Sequence, residues 1–280
     1  MLFVRFFFRG GDIGKLSICG TVNDLGVTGA VPKFISAAVI LEEGFAIDDL
    51  KKIAQSMSLA ARESGVKIVT GDTKVVGKGQ ADGIFINTAG VGELIDGVDI
   101  SAKNIRAGMK ILVSGFIGDH STTILAERHG LELPPNVQSD CAPLNKLIHE
   151  MLDVEPKIAM LRDVTRGGLA AVLNEIAAVS NFEIIIDEEK IPVREEVQSV
   201  CEILGFDVLE LANEGKIIAI VPNDSAEKIL AAMKKNPYGK NSAVIGEVTE
   251  KRVARVGLQT KIGSVRIVDT PIGNLVPRIC

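Results

Sequence analysis

The pattern of apolar and polar residues divides the chain into short helices and strands, and one helix is clear from its spacing. Apolar residues recur every three or four positions between 50 and 61, which is the periodicity of one helix face. We expect this helix to begin at Asp48 or Asp49. It should end before Gly65, since glycine readily adopts the left-handed conformation that follows a helix.

Runs rich in apolar and β-branched residues predict strands around this helix. The predicted strands cover residues 1–9, 34–41, 66–70 and 83–92. Gly71 to Lys74 is expected to form a loop, and a turn at 10–14 leads into a mostly apolar segment that ends at Asp24. These elements form an α/β unit, and the polar residues after it place a domain boundary near 96–107.

The second half of the chain mixes strands and helices in no strict order. It opens with a strand at 110–114, a glycine turn and a helix toward His129, and backbone N–H groups at such a turn suit anions. Further strands are predicted at 183–186, 216–221, 243–248 and 255–260, and further helices end at Leu152, cover 169–179, and begin at Pro192 and Asp224. The mixture is typical of an α+β fold.

Composition narrows the class of protein. Hydrophobic residues make up 46% of the 280 positions, enough for a sizeable core and for two domains of ordinary size. The formal net charge of −5, without a block of basic residues, argues against nucleic-acid binding. No apolar run approaches the length of a membrane span. Four cysteines that form no CxxC pair favour reduced thiols in the cytoplasm over disulfides or a cysteine-rich zinc site.

Three acidic loops carry the first candidate chemistry. Asp24, Asp72 and Asp163 each stand next to a glycine or a helix start. Dispersed carboxylates can hold Mg²⁺ together with phosphate oxygens, so these aspartates could bind a magnesium–nucleotide complex. Each could equally cap a helix or a turn, and the sequence contains no GxxxxGK[ST] phosphate-binding loop.

Glu214 and Cys280 are candidates for the reacting groups. In a cleft, burial would raise the pKa of Glu214 toward that of a general base, whereas at the surface Glu214 would be a solvated turn residue. Cys280 is the last residue, and Pro277 favours an extended segment that could carry the thiol into a pocket, although chain ends are commonly frayed. The other cysteines are expected to pack as small apolar side chains: Cys19, Cys141 and Cys201.

A set of motifs that occurs in order along nearly the whole chain carries a resemblance to a known family. The motifs are Gly10-Gly11-Asp12-Ile13-Gly14, Asn23-Asp24-Leu25, Thr70-Gly71-Asp72-Thr73-Lys74, Ser139-Asp140-Cys141-Ala142-Pro143, Asp163-Val164-Thr165-Arg166-Gly167-Gly168, Ala212-Asn213-Glu214-Gly215-Lys216 and Pro277-Arg278-Ile279-Cys280. In these segments the chain closely resembles the HypE family of hydrogenase maturation proteins, the carbamoyl dehydratases. Relatives of the same fold share the Asn-Asp-Leu and Asp-Val-Thr themes but not the terminal Pro-Arg-Ile-Cys.

The resemblance implies a mixed α/β, two-lobed PurM-like fold of the aminoimidazole-ribonucleotide-synthetase type, usually a homodimer. On this chain it implies an ATP-binding and dimerisation lobe at 1–98, a C-terminal lobe at 106–266 and a mobile tail at 267–280. Members of the family carry several tens of residues before the Gly-Gly-Asp-Ile-Gly motif. We therefore expect the first lobe to be incomplete at its start.

The resemblance also implies a reaction. In this family a HypF-type carbamoyltransferase loads a carbamoyl group on the C-terminal cysteine, and ATP-dependent dehydration then gives a thiocyanate. The nitrile passes to iron on a HypC–HypD complex as a cyanide ligand of [NiFe]-hydrogenase. On this chain Cys280 would be the carrier and Glu214 the base. The residues implied for ATP are Asn23, Asp24, Asp72, Thr73, Lys74, Asp163, Thr165, Gly167 and Gly168, with Mg²⁺ on Asp24, Asp72 and Asp163.

Two other hypotheses stay open on the sequence. A chain with an incomplete first lobe could be a carrier or scaffold whose tail docks with partners while ATP does not bind. Alternatively, the chain could be another ATP-dependent synthetase of the same fold that acts on a small molecule. The second alternative leaves the terminal thiol without a purpose.

Overall fold

The structure of the chain is a computed structural model that describes residues 6–272. Cys280 and the rest of 273–280 lie outside the described residues. The helices are α1 (Ile13–Val27), α2 (Ile47–Ser64), α3 (Asp119–His129), α4 (Asn145–Val154), α5 (Gly168–Ser180), α6 (Glu195–Leu204) and α7 (Ala226–Lys235). The strands are β1 (Phe7–Phe8), β2 (Gly11–Asp12), β3 (Ala30–Glu42), β4 (Lys67–Val76), β5 (Ile84–Leu94), β6 (Lys110–Val113), β7 (Met160–Asp163), β8 (Glu183–Asp187), β9 (Ile217–Val221), β10 (Ala243–Val248), β11 (Arg255–Gln259) and β12 (Val265–Val268). None of the described helices has the length and apolar composition needed to cross a membrane.

Strands β3, β4 and β5 form a three-stranded sheet in the order β4-β3-β5. Helices α1 and α2 cover one face, and their apolar side chains form a core with Ile35 and Leu41 of β3. Helix α2 has the expected pattern, with Ile53 and Met57 buried one turn apart and Gly65 in the left-handed conformation at φ 79°. The opposite face of this sheet is exposed in the chain.

The second sheet has seven strands in the order β12-β11-β8-β10-β6-β9-β7. Strand β9 is buried along its whole length, as expected for a strand covered on both faces. Ile218 and Ile220 belong to the core that includes Leu173 of α5, whereas Ile217 and Val221 belong to the core formed with α4 and α7. The alternation along the strand therefore builds two cores from one sheet.

Helix α1 lies between the two sheets and contacts elements of both. Asp12 caps the helix, because its Oδ1 accepts hydrogen bonds from the N–H groups of Gly14 (2.7 Å) and Lys15 (3.1 Å). A Cβ at Gly14 would lie 2.5 Å from the Ile53 carbonyl oxygen, so glycine permits the close approach of α1 and α2. The helix carries Asp24 toward the junction of the two sheets.

Most of the predicted elements are confirmed with shifted ends, but one predicted loop is wrong and several elements were not predicted. Gly71 to Lys74 is not a loop: it continues β4, where Asp72 pairs with Ala38 of β3. A Cβ at Gly71 would lie 2.5 Å from the Ala37 carbonyl oxygen, so the glycine serves strand packing rather than a turn. The apolar segment that ends at Asp24 is most of helix α1, and strands β2, β7 and β12 were not predicted; β2 lies within the predicted turn at 10–14. The boundaries at 98 and 106 stay predictions.

Candidate active site

A cavity of about 710 Å³ lies between α1, strand β5 and the segments that follow β7. Thr21 and Asp24 of α1 line one side, and Arg166 and Glu214 line the other. The two sides come from different halves of the chain. A cavity of this size can enclose a small-molecule ligand, and we refer to it as the carboxylate cavity.

Glu214 is the most strongly perturbed carboxyl group of this cavity. Burial raises its pKa to about 8, and neighbouring negative charges act in the same direction. In order of size, these charges belong to Asp140, Asp163 and Asp24, while Arg166 lowers the pKa. A carboxyl group with its pKa near neutrality is suited to proton transfer.

Asp24 faces the same group of charges from α1. Burial raises the pKa of Asp24, and the negative charge of Asp163 raises it further. Arg162 and Arg166 act in the opposite direction. The charge of Asp163 therefore acts on both Asp24 and Glu214, although these residues are far apart in the sequence. Their common role in a site stays a prediction.

The segment 139–145, here called the strap, fixes the backbone on both sides of Glu214. The Glu214 N–H donates to Asp140 Oδ1 (3.0 Å), and the Ala142 N–H donates to the Glu214 carbonyl oxygen (3.4 Å). A Cβ at Gly215 would lie 1.8 Å from the Asp140 carbonyl oxygen, so only glycine fits after Glu214. Lys216 then closes the contact, with its Nζ 3.1 Å from Asp140 Oδ2.

Asn213, the residue before Glu214, joins two loops of the second sheet. Its Oδ1 accepts from the Gly118 N–H (2.8 Å), and its Nδ2 donates to the Val164 carbonyl oxygen (2.9 Å). The side chain is fully buried, so these bonds satisfy groups that water does not reach. Because Val164 follows Asp163, Asn213 holds the loop of Asp163 beside Glu214.

Asn23 was implied as an ATP ligand, but its side chain is occupied in the interior. Its Nδ2 donates to the Ala142 carbonyl oxygen (3.0 Å), and its Oδ1 accepts from the Leu144 N–H (2.7 Å). Only 4% of the residue is exposed. The structure therefore gives Asn23 the task of holding the strap against α1, and this differs from the role that the resemblance implied.

The residues after β7 that were implied for ATP, Thr165, Gly167 and Gly168, form the turn into α5. The Gly168 N–H donates to the Thr165 carbonyl oxygen (3.0 Å), and Gly167 and Gly168 adopt left-handed conformations. A Cβ at Gly168 would lie 2.4 Å from the Leu209 carbonyl oxygen. Backbone packing alone accounts for Gly168, and nucleotide binding by this turn stays a prediction.

Asp72, Thr73 and Lys74 lie apart from the carboxylate cavity. They are exposed on β4, at the opposite edge of the three-stranded sheet from β5, which lines the cavity. Asp72 accepts a hydrogen bond from the Thr73 N–H (2.8 Å). Two strand spacings, or roughly 9–10 Å, therefore separate the strand of Asp72 from the cavity wall. One chain does not bring Asp72 to Asp24 and Asp163.

The magnesium site can be tested against these positions. Among residues 6–272, no group of three or more His, Cys, Asp or Glu is arranged to hold a metal ion. Mg²⁺ commonly takes one or two protein carboxylates and completes its shell with phosphate oxygens and water. Asp24 and Asp163 fit such an ion, whereas the three-aspartate site with Asp72 is not formed within the described chain.

Sequence reasoning missed Asp140, Lys216 and Arg166 as neighbours of Glu214. Asp140 and Lys216 stood in the quoted motifs, but no local spacing connects Asp140 with a residue 74 positions away. Their charges complete the surroundings of Glu214. The buried cysteines agree with the sequence: Cys19, Cys141 and Cys201 are all free thiols in the interior.

Comparisons with known proteins fit this architecture. The models of the AIR synthase related protein family match residues 2–94 with the N-terminal domain and residues 106–259 with the C-terminal domain. The chain is thus an AIR synthase related protein with the mixed α/β fold of that class. It is 49% identical over 274 residues to carbamoyl dehydratase HypE of Cupriavidus necator, covering 98% of this chain and 78% of that protein. The chain belongs to the carbamoyl dehydratase HypE family.

Two solved structures are also similar to the chain. A HypE structure in complex with ATP has a TM-score of 0.94 and 46% identity, covering 98% of this chain and 83% of that one. A HypE–HypF complex gives a TM-score of 0.91 and 52% identity, covering 95% and 87%. The fold described above is therefore that of HypE proteins.

Proposed function

We propose that the chain is an ATP-dependent dehydratase that converts an S-carbamoyl group on Cys280 into a thiocyanate, the source of a cyanide ligand for [NiFe]-hydrogenase. The observation that carries the proposal is Glu214, a carboxyl group with its pKa at about 8 that shares a cavity with Asp24 and is influenced by the charge of Asp163. Membership of the HypE family supports this reaction class. The HypE structure with ATP supports nucleotide binding in the same fold.

The chemistry assigns a task to each group. An amide oxygen is a poor leaving group, so transfer of the γ-phosphoryl group of ATP to the carbamoyl oxygen turns that oxygen into part of a phosphate ester. Loss of both protons from the carbamoyl nitrogen and departure of phosphate then leave a C≡N group on the sulfur. Glu214 is the base for a nitrogen proton, and Arg166, on the wall of the same cavity, can stabilise the phosphoryl charge.

Asp24 and Asp163 would hold Mg²⁺ in this scheme. The ion would neutralise charge on the transferring phosphoryl group when bound. Asp24 and Asp163 are two of the three carboxylates that raise the pKa of Glu214. Their charges would be neutralised as well, so Glu214 would pass more readily into its basic, ionised form. Thr165, Gly167 and Gly168 are proposed to contact the nucleotide through the turn that follows Asp163.

We infer that the chain forms a homodimer through the exposed face of the three-stranded sheet. Phe34, Phe85 and Val91 are 46%, 50% and 66% exposed, and Val91 pairs with Phe34 across adjacent strands. An apolar face of this kind is typical of an interface. Asp72 pairs with Ala38, and Ala38 with Asn87, so all three lie on one face of the sheet. A second copy could bring Asp72, Thr73 and Lys74 to a carboxylate cavity.

The tail and the partners complete the proposal. The tail was predicted to begin at 267, after lobes at 1–98 and 106–266, but Ile267 and Val268 pair with β11 as part of β12. A tail that begins after β12 would let Cys280 move between a partner and the carboxylate cavity. A HypF-type carbamoyltransferase would load the cysteine, consistent with the known HypE–HypF complex. A HypC–HypD complex would receive the nitrile. Free thiols at the buried cysteines suit a cytoplasmic setting.

Mass spectrometry of the full chain tests this function. After incubation with a HypF-type carbamoyltransferase, carbamoyl phosphate and Mg-ATP, Cys280 should gain a carbamoyl group and then lose water. Glu214→Gln should load normally but lose water roughly 100-fold more slowly, because general-base catalysis commonly contributes this much. Glu189→Gln, at an exposed position outside the cavity, is the matched control and should behave as wild type.

Two outcomes would contradict the assignment. Equal modification of Cys280→Ala would remove the carrier role from Cys280, and unchanged dehydration by Glu214→Gln would remove the base role. Calorimetric titration with Mg-ATP addresses the scaffold hypothesis separately, since a scaffold would bind no nucleotide.

A further inference from the structure

A second cavity, of about 300 Å³, lies on the other side of the contact that holds Glu214. The β6–α3 turn, the strap, the first turn of α1 and the loop before β10 form its walls. Asp140 and Lys216 line this cavity, and Asp140 also accepts the Glu214 N–H bond, so the two cavities share a wall. Its charged lining residues are Lys15, Asp119, Asp140, Arg194, Lys216 and Lys240. We refer to it as the basic cavity.

Both carboxylates of the basic cavity are already paired. Arg194 Nε donates to both carboxylate oxygens of Asp119 at 3.1 Å. Lys216 Nζ lies 3.1 Å from Asp140 Oδ2, and these two side chains are only 11% and 3% exposed. Each of the two acids therefore has a basic partner, which leaves the remaining basic groups without compensation.

Those remaining groups are Lys15 and Lys240. Lys15 Nζ donates to the Gly10 carbonyl oxygen at 3.2 Å, a neutral partner that leaves its charge in place. Within residues 6–272, neither Lys15 nor Lys240 has a carboxylate within ion-pair distance. The basic cavity thus carries an excess of positive charge in a chain whose net charge is −5.

The backbone of the β6–α3 turn shapes this cavity without supplying the charge. Gly115 has φ 155°, and a Cβ there would lie 3.3 Å from Lys216 Cε, so glycine leaves room for the lysine stem. The sequence predicted an anion site at the start of α3, but acceptors already occupy two N–H groups there: Gly118 N–H donates to Asn213, and Ser121 N–H donates to the Ala212 carbonyl oxygen. Side-chain cations, not the helix terminus, therefore favour an anion.

We propose that the basic cavity binds a small oxyanion of the phosphate class, held by Lys15 and Lys240 beside the Lys216–Asp140 pair. Its volume lies at the lower end for ligand pockets, which fits a small ion better than a whole nucleotide. Ammonium groups are effective phosphate ligands as point charges. The reaction under the proposed function releases phosphate, and only the biological source of the ion rests on that function.

Phosphate titration of the full chain at low ionic strength tests the proposal, with binding followed by calorimetry or by ³¹P line broadening. The double variant Lys15→Met/Lys240→Met should bind inorganic phosphate at least about tenfold more weakly, which corresponds to about 1.4 kcal/mol. Lys228→Met/Lys234→Met removes the same charge from α7 and should change the affinity by less than about twofold. Lys240→Glu, at an exposed position, should weaken binding without a risk to folding.

Each result decides the matter. Absence of saturable phosphate binding by the wild type, or equal weakening in the Lys228/Lys234 control, overturns the proposal. If phosphate still binds at saturating ADP, free phosphate is supported as the ligand. If ADP competes with phosphate, and ADP binding is weakened by loss of Lys15 and Lys240, a nucleotide phosphate is supported. Competition by ADP that is independent of both lysines overturns it. The titration requires no ATP turnover, so its result does not depend on whether the dehydratase assignment is correct.

Discussion

The two larger sheets of the chain bury apolar side chains in different ways. In the seven-stranded sheet, helix α5 packs on one face and helices α4 and α7 on the other, so a strand such as β9 is apolar at every position. In the three-stranded sheet, α1 and α2 cover one face, while Phe34 and Phe85 remain exposed on the other. The seven-stranded sheet is covered on both faces within one chain. The three-stranded sheet keeps one apolar face exposed, which is the composition of a surface that another molecule covers.

This difference extends to the candidate site. Asp24, Asp163 and Glu214 come together within one chain because α1 lies between the sheets and the strap fixes Glu214. Asp72 lies on the exposed sheet, away from that cluster. Asp24, Asp163 and Glu214 are thus brought together by one chain, whereas under the proposed function Asp72 would act through a second copy. Four predictions test this distinction.

The largest effect is expected from a matched pair of Leu→Ala substitutions. Leu173→Ala, in the fully buried core of the seven-stranded sheet, should lower the free energy of unfolding by about 2–5 kcal/mol. Leu94→Ala, at the end of β5 and 68% exposed, should cost less than about 0.5 kcal/mol. Denaturant unfolding measures both. Equal losses would mean that the three-stranded sheet is as completely covered as the larger one.

The proposed interface gives the next largest effect. Phe34→Glu places a charge on the central strand of the exposed face and should weaken dimerisation by about 100-fold, near 2.7 kcal/mol, because a buried unpaired charge is costly. Light scattering over a concentration series measures this. Ile203→Glu, on α6 at 70% exposure, is the control and should leave the association unchanged. A dimer that tolerates Phe34→Glu uses another surface.

A smaller effect is expected in the pH dependence of stability. The folded chain holds the Glu214 proton up to a pKa of about 8, whereas the unfolded chain releases it near the ordinary glutamate pKa of 4.5. Between these values the folded state binds more protons, so this residue lowers stability as pH rises. Glu214→Gln should therefore be more stable than wild type at pH 8, by on the order of 1–3 kcal/mol, and the gap should close toward pH 4. A gap that is constant with pH would contradict the raised pKa.

The sequence predicted the elements whose environment is local and missed those that depend on distant neighbours. The α2 helix was evident because one face meets the core and the other meets water. Helix α1 is buried by both sheets and has no polar stripe, so its spacing carried no signal. Gly71 and Asp72 disfavour a strand by themselves, but pairing with β3 overrides that preference.

The residues of the candidate site show the same difference between what local sequence predicts and what distant neighbours decide. Asp24, Asp163 and Glu214 could be selected from the sequence because motifs surround them. The structural role of Asn23 could not be predicted from the sequence, because the hydrogen-bond partners of its side-chain amide, Ala142 and Leu144, lie about 120 positions away. The local sequence identifies which residues carry reactive or ligand-binding groups. Tertiary packing decides which of those groups face a cavity and which are occupied by hydrogen bonds in the interior.

Substitution of Asp72 should have the smallest effect on stability, and it gives the sharpest test of whether a second copy of the chain contributes to the site. Asp72→Asn should change the free energy of unfolding by less than about 0.5 kcal/mol, since the side chain is exposed and bonds only the adjacent Thr73 N–H among residues 6–272. Dehydration by this variant should nevertheless fall. If Asp72 acts across a symmetric dimer, mixing Asp72→Asn with Glu214→Gln should restore up to about a quarter of wild-type activity, because half of the dimers are mixed and each then has one intact site. No recovery after verified subunit exchange would place Asp72 in the site of its own chain or outside the reaction.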